Sequence, residues 1–124
     1  MQFKKPQNSE KIHWTKHSIE KMRFYNLSEN RLKRVLRNPD RKEEGIAPRT
    51  LAVMQRSGTK KNPTEIWMMY QKIKSKIHAY RQAGKNQKSK RIKIISAWRY
   101  PGISPKGKEI PIPSDILEEL NNLL

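Results

Sequence analysis

Ile12 and Trp14 alternate with His13, and this period of two predicts a short strand ending near Thr15. Thr15 then caps a helix running to about Tyr25, in which Ile19 and Met22 sit three apart as the inward stripe. His17, Lys21 and Phe24 project from nearly the opposite side of that helix. Ser28 caps a second helix with Leu32, Val35 and Leu36 as its apolar stripe, and Arg31, Lys33, Arg34 and Arg37 lie mostly outside it. Asn38-Pro39 ends that helix, because the residue before a proline is pushed out of the helical region.

From Asp40 the pattern changes to short stretches rich in β-formers, over 50–56, 65–73, 76–82 and 91–99. The polar runs GTKKNP (58–63) and GKNQKSK (84–90), with a bend or hairpin at Lys74-Ser75, separate them, which predicts an antiparallel meander. Trp14, Trp67 and Trp98 fall on these strands with apolar neighbours and read chiefly as core. After Tyr100 the segment PGISPKGKEIPIP carries four prolines and excludes a regular helix or central strand. Ser114 then caps a short helix with Asp115 in its first turn and Leu117, Leu120 and Leu124 available for packing. The expected architecture is α+β, with two N-terminal helices packed on one face of an antiparallel sheet of about four strands, and a short C-terminal helix. The other face of the sheet is expected to be free for binding. Along the chain this gives a disordered leader over 1–10, a domain over 11–102, and a proline-rich tail with its helix over 103–124.

Charge changes the picture more than length does. The chain has 124 residues, enough for one core, and carries 28 Lys and Arg against 11 Asp and Glu, a formal charge of +17. Such self-repulsion exceeds what solubility needs and points to a polyanionic partner. Nucleic acid is favoured over a bilayer, since no apolar run approaches the roughly 18 residues that span one. The sequence has no cysteine, which rules out disulfides and thiolate metal sites and suits a cytoplasmic location. The lysines of MQFKKPQNSEK lack a following apolar segment, so they do not read as a secretory signal. There is no phosphate-binding glycine loop and no zinc-ligand spacing, so no nucleotide or metal cofactor is expected.

The stretch HSIEKMRFYNLSENRLKRVLRNPDR, from His17 to Arg41, resembles a family of small bacterial domains. That family begins with a short strand, then His-x-x-x-Arg/Lys-Met, a helix break, and a second helix ending in Asn-Pro. The stretch IKIISAWRYPG, from Ile92 to Gly102, is similar to its last strand. The family is grouped by fold with the RelE, ParE and BrnT toxins of bacterial toxin and antitoxin pairs, and the resemblance spans roughly 12 to 102. It implies a RelE-like fold, with His17, Lys21 and Met22 on the motif positions of the first helix. Ser96, Trp98, Arg99 and Tyr100 then fall where this fold group often carries site residues. RelE-like members cleave messenger RNA, whereas ParE-like members act on gyrase. Lys21 stands where the family usually has arginine, which removes a bidentate phosphate fork from that position.

Metal-free RNA cleavage needs a base for the 2′-hydroxyl, an acid for the leaving oxygen, and cations around the phosphate. His17 supplies either proton-transfer role, and Lys21 one turn later lowers its pKa by like-charge repulsion; equally, His17 braces the helix against the sheet. Arg81 beside Tyr80, and Arg99 beside Tyr100, each pair a phosphate ligand with a stacking ring, or else form ordinary strand-end pairs. Lys85, Lys88, Lys90, Arg91 and Lys93 form one acid-free run and Lys60-Lys61 another, and turns at one end of the sheet would bring them together on phosphate. The leading expectation is a RelE-like, metal-independent endoribonuclease acting on messenger RNA, free or at the ribosome. His17, Lys21, Arg81, Arg99 and Tyr100 are its catalytic candidates, and a small acidic antitoxin is its protein partner. The alternative is a non-catalytic RNA-binding or ribosome-associated protein on the same fold. A ParE-like, protein-directed toxin ranks lower because it leaves the charge without a role.

Overall fold

Two hydroxyl caps set the N-terminal half. In a computed structural model, which describes residues 3–74, 90–107 and 109–123, Thr15 Oγ1 accepts from Ser18 N at 3.1 Å and donates to the Ile94 carbonyl at 2.6 Å. One side chain thus starts α1 (Lys16–Tyr25) and ties it to the sheet. Ser28 Oγ accepts from Arg31 N at 3.1 Å and starts α2 (Glu29–Arg37). Between them Asn26 takes a left-handed conformation (φ 56°) and lets Leu27 N donate to Met22 O at 2.8 Å, which closes α1. Replacing Thr15 with valine removes both contacts and is expected to cost about 1–2 kcal/mol, read as a shifted urea midpoint at unchanged slope.

The strands are β1 (Ile12–Trp14), β2 (Arg41–Glu44), β3 (Thr50–Gly58), β4 (Pro63–Lys74) and β5 (Lys90–Pro101), and α3 (Ser114–Leu123) follows. They form one sheet in the order β1-β5-β4-β3-β2, antiparallel except for β1, which runs parallel to β5 with Ile12 opposite Ile92. Among the described residues, the expected sheet of about four antiparallel strands is therefore a mixed sheet of five. The short strand read at Ile12–Trp14 joins the sheet at one edge, and the unforeseen β2 forms the other. β2 has the charged sequence RKEE, but an edge strand buries few side chains, so charge there is no barrier to pairing. The β3–β4 hairpin turns over 59–62 as the sequence predicts, with Gly58 at φ 81°. There a Cβ would lie 2.4 Å from Asn62 O. β4 and β5 are direct neighbours from Thr64–Pro101 to Lys74–Lys90, and the strand expected over 76–82 lies outside the described residues.

Alternation along the strands builds two cores. Val53, Ile66, Met68, Tyr70, Ile94 and Ala97 face Met22, Leu27, Leu32 and Val35 of the N-terminal helical layer. Ala52, Met54, Trp67, Met69 and Trp98 face the opposite way, where Ile116 and Leu120 of α3 cover them with Ile110 and Ile112 of the tail. The second sheet face is thus occupied, contrary to the expectation that it is open. Trp67 and Trp98 stack there, with ring centroids 6.1 Å apart.

The tail is fastened by a buried polar network. Glu65, fully buried, accepts from Ser104 N at 3.0 Å, from Ser104 Oγ at 2.6 Å and from Trp67 Nε1 at 3.0 Å. Arg41 donates to Ser104 Oγ at 2.7 Å and lies over the Trp67 ring. Trp98 Nε1 donates to Pro111 O. At the other terminus the expected leader is held against the domain: Phe3 packs on the first core, Pro6 is buried, and Asn8 Oδ1 accepts from Trp14 N.

Candidate nucleic-acid interface

The cationic candidates separate into two places. His17 and Lys21 are one turn apart on the side of α1 that faces α3. Lys21 Nζ lies 2.8 Å from Asp115 Oδ2 and 2.9 Å from Glu119 Oε1, and His17 Nδ1 lies 2.8 Å from Glu119 Oε2. Tyr25 donates its hydroxyl proton to Asp115 at 3.3 Å. The helix side opposite the Ile19–Met22 stripe is therefore covered by two carboxylates four residues apart on α3, and Lys21 is buried. Phe24 does project outward, 72% exposed.

Burial is the largest influence on His17 and pushes its pKa below the ordinary histidine value; Glu119 pulls the other way, and the Lys21 ammonium adds to the lowering. The expected repulsion by Lys21 thus acts, but second to desolvation. A neutral ring fits both partners, with Nδ1–H donating to Glu119 and Nε2, 3.2 Å from Ser96 Oγ, accepting from that hydroxyl. The connectivity Ser96–His17–Glu119 is that of nucleophile, base and orienting acid. Ser96, however, is fully buried in the middle of β5, so in this arrangement it braces the ring and does not meet a substrate.

The pH dependence of the α1–α3 contact follows from these groups. Against the raising effect of burial, the Lys21 hydrogen bond holds Asp115 below the ordinary aspartate pKa of 3.8. Against the lowering effect of burial, Asp115 and Glu119 raise Lys21 above 10.5. Asp115 therefore contributes stability that is present above pH 3.8 and lost as pH falls through its folded value. Lys21 contributes stability that is present below pH 10.5 and lost as pH rises through its raised value. His17, with a lowered value, costs stability as pH falls below 6.5, because the unfolded chain then binds the extra proton. Thermal melts from pH 7 to pH 3 are expected to show a progressive loss, and Asp115→Asn should flatten its lowest part.

Arg99 lies elsewhere. It pairs with Ile66 and points to the α2 side of the sheet, whereas Tyr100 pairs with Glu65 and packs on the opposite core. Arg99 lines a groove of about 760 Å³ together with Arg31 and Arg34 of α2 and Lys4 and Lys5, with Leu27 and Ile66 as apolar lining. Burial lowers the Arg31 pKa, and the nearby guanidiniums of Arg34 and Arg99 lower it further, against a smaller raising effect of Asp40, so three like charges gather in one place. Arg31 is positioned by hydrogen bonds to Gln55 Oε1 and to the Arg56 carbonyl. Among the described residues, neither Arg34 nor Arg99 has an ion-pair partner. The groove's one carboxylate, Glu29, is already engaged by Lys33 and Gln7 N.

The described parts of the basic runs lie at opposite ends of the sheet. Lys60 and Lys61 occupy the β3–β4 turn, at the same end of the sheet as Arg99. Lys90 begins β5 at the opposite end, followed by Arg91 and Lys93, some 35 Å away at about 3.3 Å per residue. Arg91 and Lys93 sit beside His13, which burial and then these two cations push below the ordinary histidine pKa. Arg81, Lys85 and Lys88 lie outside the described residues. Arg31 and Arg34 are the groove residues that sequence reading placed merely outside the apolar stripe. Their spacing of three on one helix face was the available signal.

No helix among the described residues is long and apolar enough to cross a membrane, and no group of metal-ligating side chains occurs among them. Comparison with family models, curated proteins and solved structures finds no match to this chain.

Proposed function

We propose that this domain binds single-stranded RNA by its phosphodiester backbone, along the groove lined by Arg31, Arg34, Arg99, Lys4 and Lys5. The crowding of three guanidiniums, none of them with an ion-pair partner among the described residues, carries this reading. Holding like charges together costs free energy unless an anion joins them, and guanidinium matches phosphate in shape as well as charge. Phe3, half-buried in the groove lining, gives it a ring on which an unstacked base can rest, which favours a single strand over a duplex. The resemblance to RelE-like domains favours RNA over DNA. Anisotropy of a labelled single-stranded RNA in EDTA, across a salt series, tests this. Engagement of three arginines predicts log K falling against log salt with a slope of about −2 or steeper. A slope near zero, or equal binding of a neutral polymer, rejects the reading.

A second reading has one observation in its favour: a neutral imidazole at His17 beside a cation at Lys21 is the pairing that base catalysis on a 2′-hydroxyl requires. On it the protein is a RelE-like toxin, a metal-independent endoribonuclease acting on messenger RNA, free or at the ribosome. His17 Nε2 takes the 2′-hydroxyl proton and Lys21 faces the phosphate. His17 Nε2 is held by Ser96 of β5, and His17 Nδ1 and Lys21 by α3, so the ring has to turn away from Ser96 and α3 has to leave before either acts. Products ending in 2′,3′-cyclic phosphate, formed in EDTA and in a translating extract and lost in His17→Ala, would establish it. Binding without such products leaves the first reading standing alone.

A further inference from the structure

A second groove, of about 490 Å³, has the opposite electrical character. Ile46, Ile110, Ile112 and Leu117 give it an apolar lining, and Glu43, Glu44 and Glu109 are its charged residues, with no lysine or arginine among the residues that form it. Ile46 and Leu117 are 48% and 44% exposed there, two of the four large apolar side chains that the described surface leaves uncovered. Glu43 pairs with Arg41, but Glu44 and Glu109 have no ion-pair partner among the described residues.

We propose that this groove docks an extended peptide segment of a partner protein, one that bears lysine or arginine among apolar side chains. In a chain of net charge +17, a cationic segment is repelled nearly everywhere, and three carboxylates on one apolar groove reverse that locally. At physiological salt, charges more than about 8 Å apart are largely screened, so the local carboxylates decide the docking. RNA is repelled from the same place, which keeps the two grooves chemically distinct. The extended form follows from topology. β2 is the last strand of the sheet and pairs only with β3 among the described residues, so its outer edge offers backbone N–H and C=O groups to one more strand. Glu43 and Glu44, being consecutive on β2, fall on its two faces, Glu43 with Arg41 and Glu44 with the exposed Lys42, so cationic side chains of an added strand meet a carboxylate on either face at the C-terminal end of β2. Its apolar side chains on the α3 side rest on Ile110, Ile112 and Leu117.

The probe is a short fluorescein-labelled peptide of alternating lysine and isoleucine, titrated with the full chain at about 150 mM salt. Its counterparts are a glutamate–isoleucine peptide and a lysine–isoleucine peptide N-methylated at alternate residues. Saturable binding of the first peptide at micromolar protein is expected, with loss of affinity of about tenfold or more for both counterparts. Glu44→Lys with Glu109→Lys should lose about tenfold, and so should Ile46→Ser with Leu117→Ser, all four being exposed positions whose replacement leaves the circular dichroism unchanged. Arg34→Ala with Arg99→Ala should bind the peptide as the parent does, whatever its effect on RNA. The proposal is overturned if the lysine–isoleucine peptide fails to bind at millimolar protein, if the glutamate peptide binds equally, or if both groove variants bind unchanged.

Discussion

Glu65→Ala is expected to lower the thermal unfolding midpoint by about 15 °C. The fully buried Glu65 carboxyl accepts three hydrogen bonds, and removing it leaves Ser104 N, Ser104 Oγ and Trp67 Nε1 without their acceptor. Each orphaned buried donor costs about 1–3 kcal/mol, so a loss of about 4 kcal/mol is a conservative sum. With an unfolding entropy of about 2.1 cal/mol/K per residue, a chain of 124 residues loses roughly 15 °C for that amount. The same change frees Ser104, and with it the hold of Arg41 on the tail. Differential scanning calorimetry measures the shift. A drop below about 3 °C would mean that the donors reach other acceptors and that the tail is not fastened at this point.

Arg34→Ala combined with Arg99→Ala is expected to weaken RNA binding by about 100-fold at low salt, two charge-assisted contacts being worth roughly 1.5 kcal/mol each. The salt slope should become shallower by about 1.4, since each phosphate contact to a single strand contributes about 0.7. Neither arginine carries an ion pair that holds the fold, so stability should stay within about 0.5 kcal/mol. His17→Ala, on the far side of α1, should leave affinity within about twofold. Fluorescence anisotropy with the three proteins side by side separates the outcomes. Equal affinity for the double variant and the parent would remove the groove from the RNA-binding account.

What the sequence disclosed were the features whose causes are local. The caps Thr15 and Ser28, the turn before Pro63 and the stop at Asn38-Pro39 each depend on a few neighbouring residues, and each stands where it was read. The apolar stripes were equally legible, because Met22, Leu32 and Val35 repeat at helical spacing whatever covers them. The cover on Lys21 was illegible for the complementary reason. Its partner Asp115 is 94 positions away, and no local pattern reveals that two carboxylates on the last helix will reach it. The open sheet face was misjudged on the same grounds, since the prolines after Tyr100 exclude regular structure without saying where the tail is laid down. The arginine groove joins residues of the leader, α2 and β5, so Arg31 and Arg34 had only their spacing on one helix face as a signal, and nothing local joined them to Arg99. The edge strand RKEE was hidden because its sequence reports solvent on one side and says nothing of the neighbour on the other.

The placement of α3 also bears on how the chain is made. The residues of the tail and α3 that cover Trp67, Trp98 and Met69, and the carboxylates that neutralise Lys21, all follow β5 in the chain and leave the ribosome after the sheet they cover. Until that stretch is free, a nascent chain carries a wide apolar sheet face and an unpaired cation beside it. Closure of this domain therefore waits on α3, and a chain cut short before Ser114 is a candidate for chaperone capture or clearance.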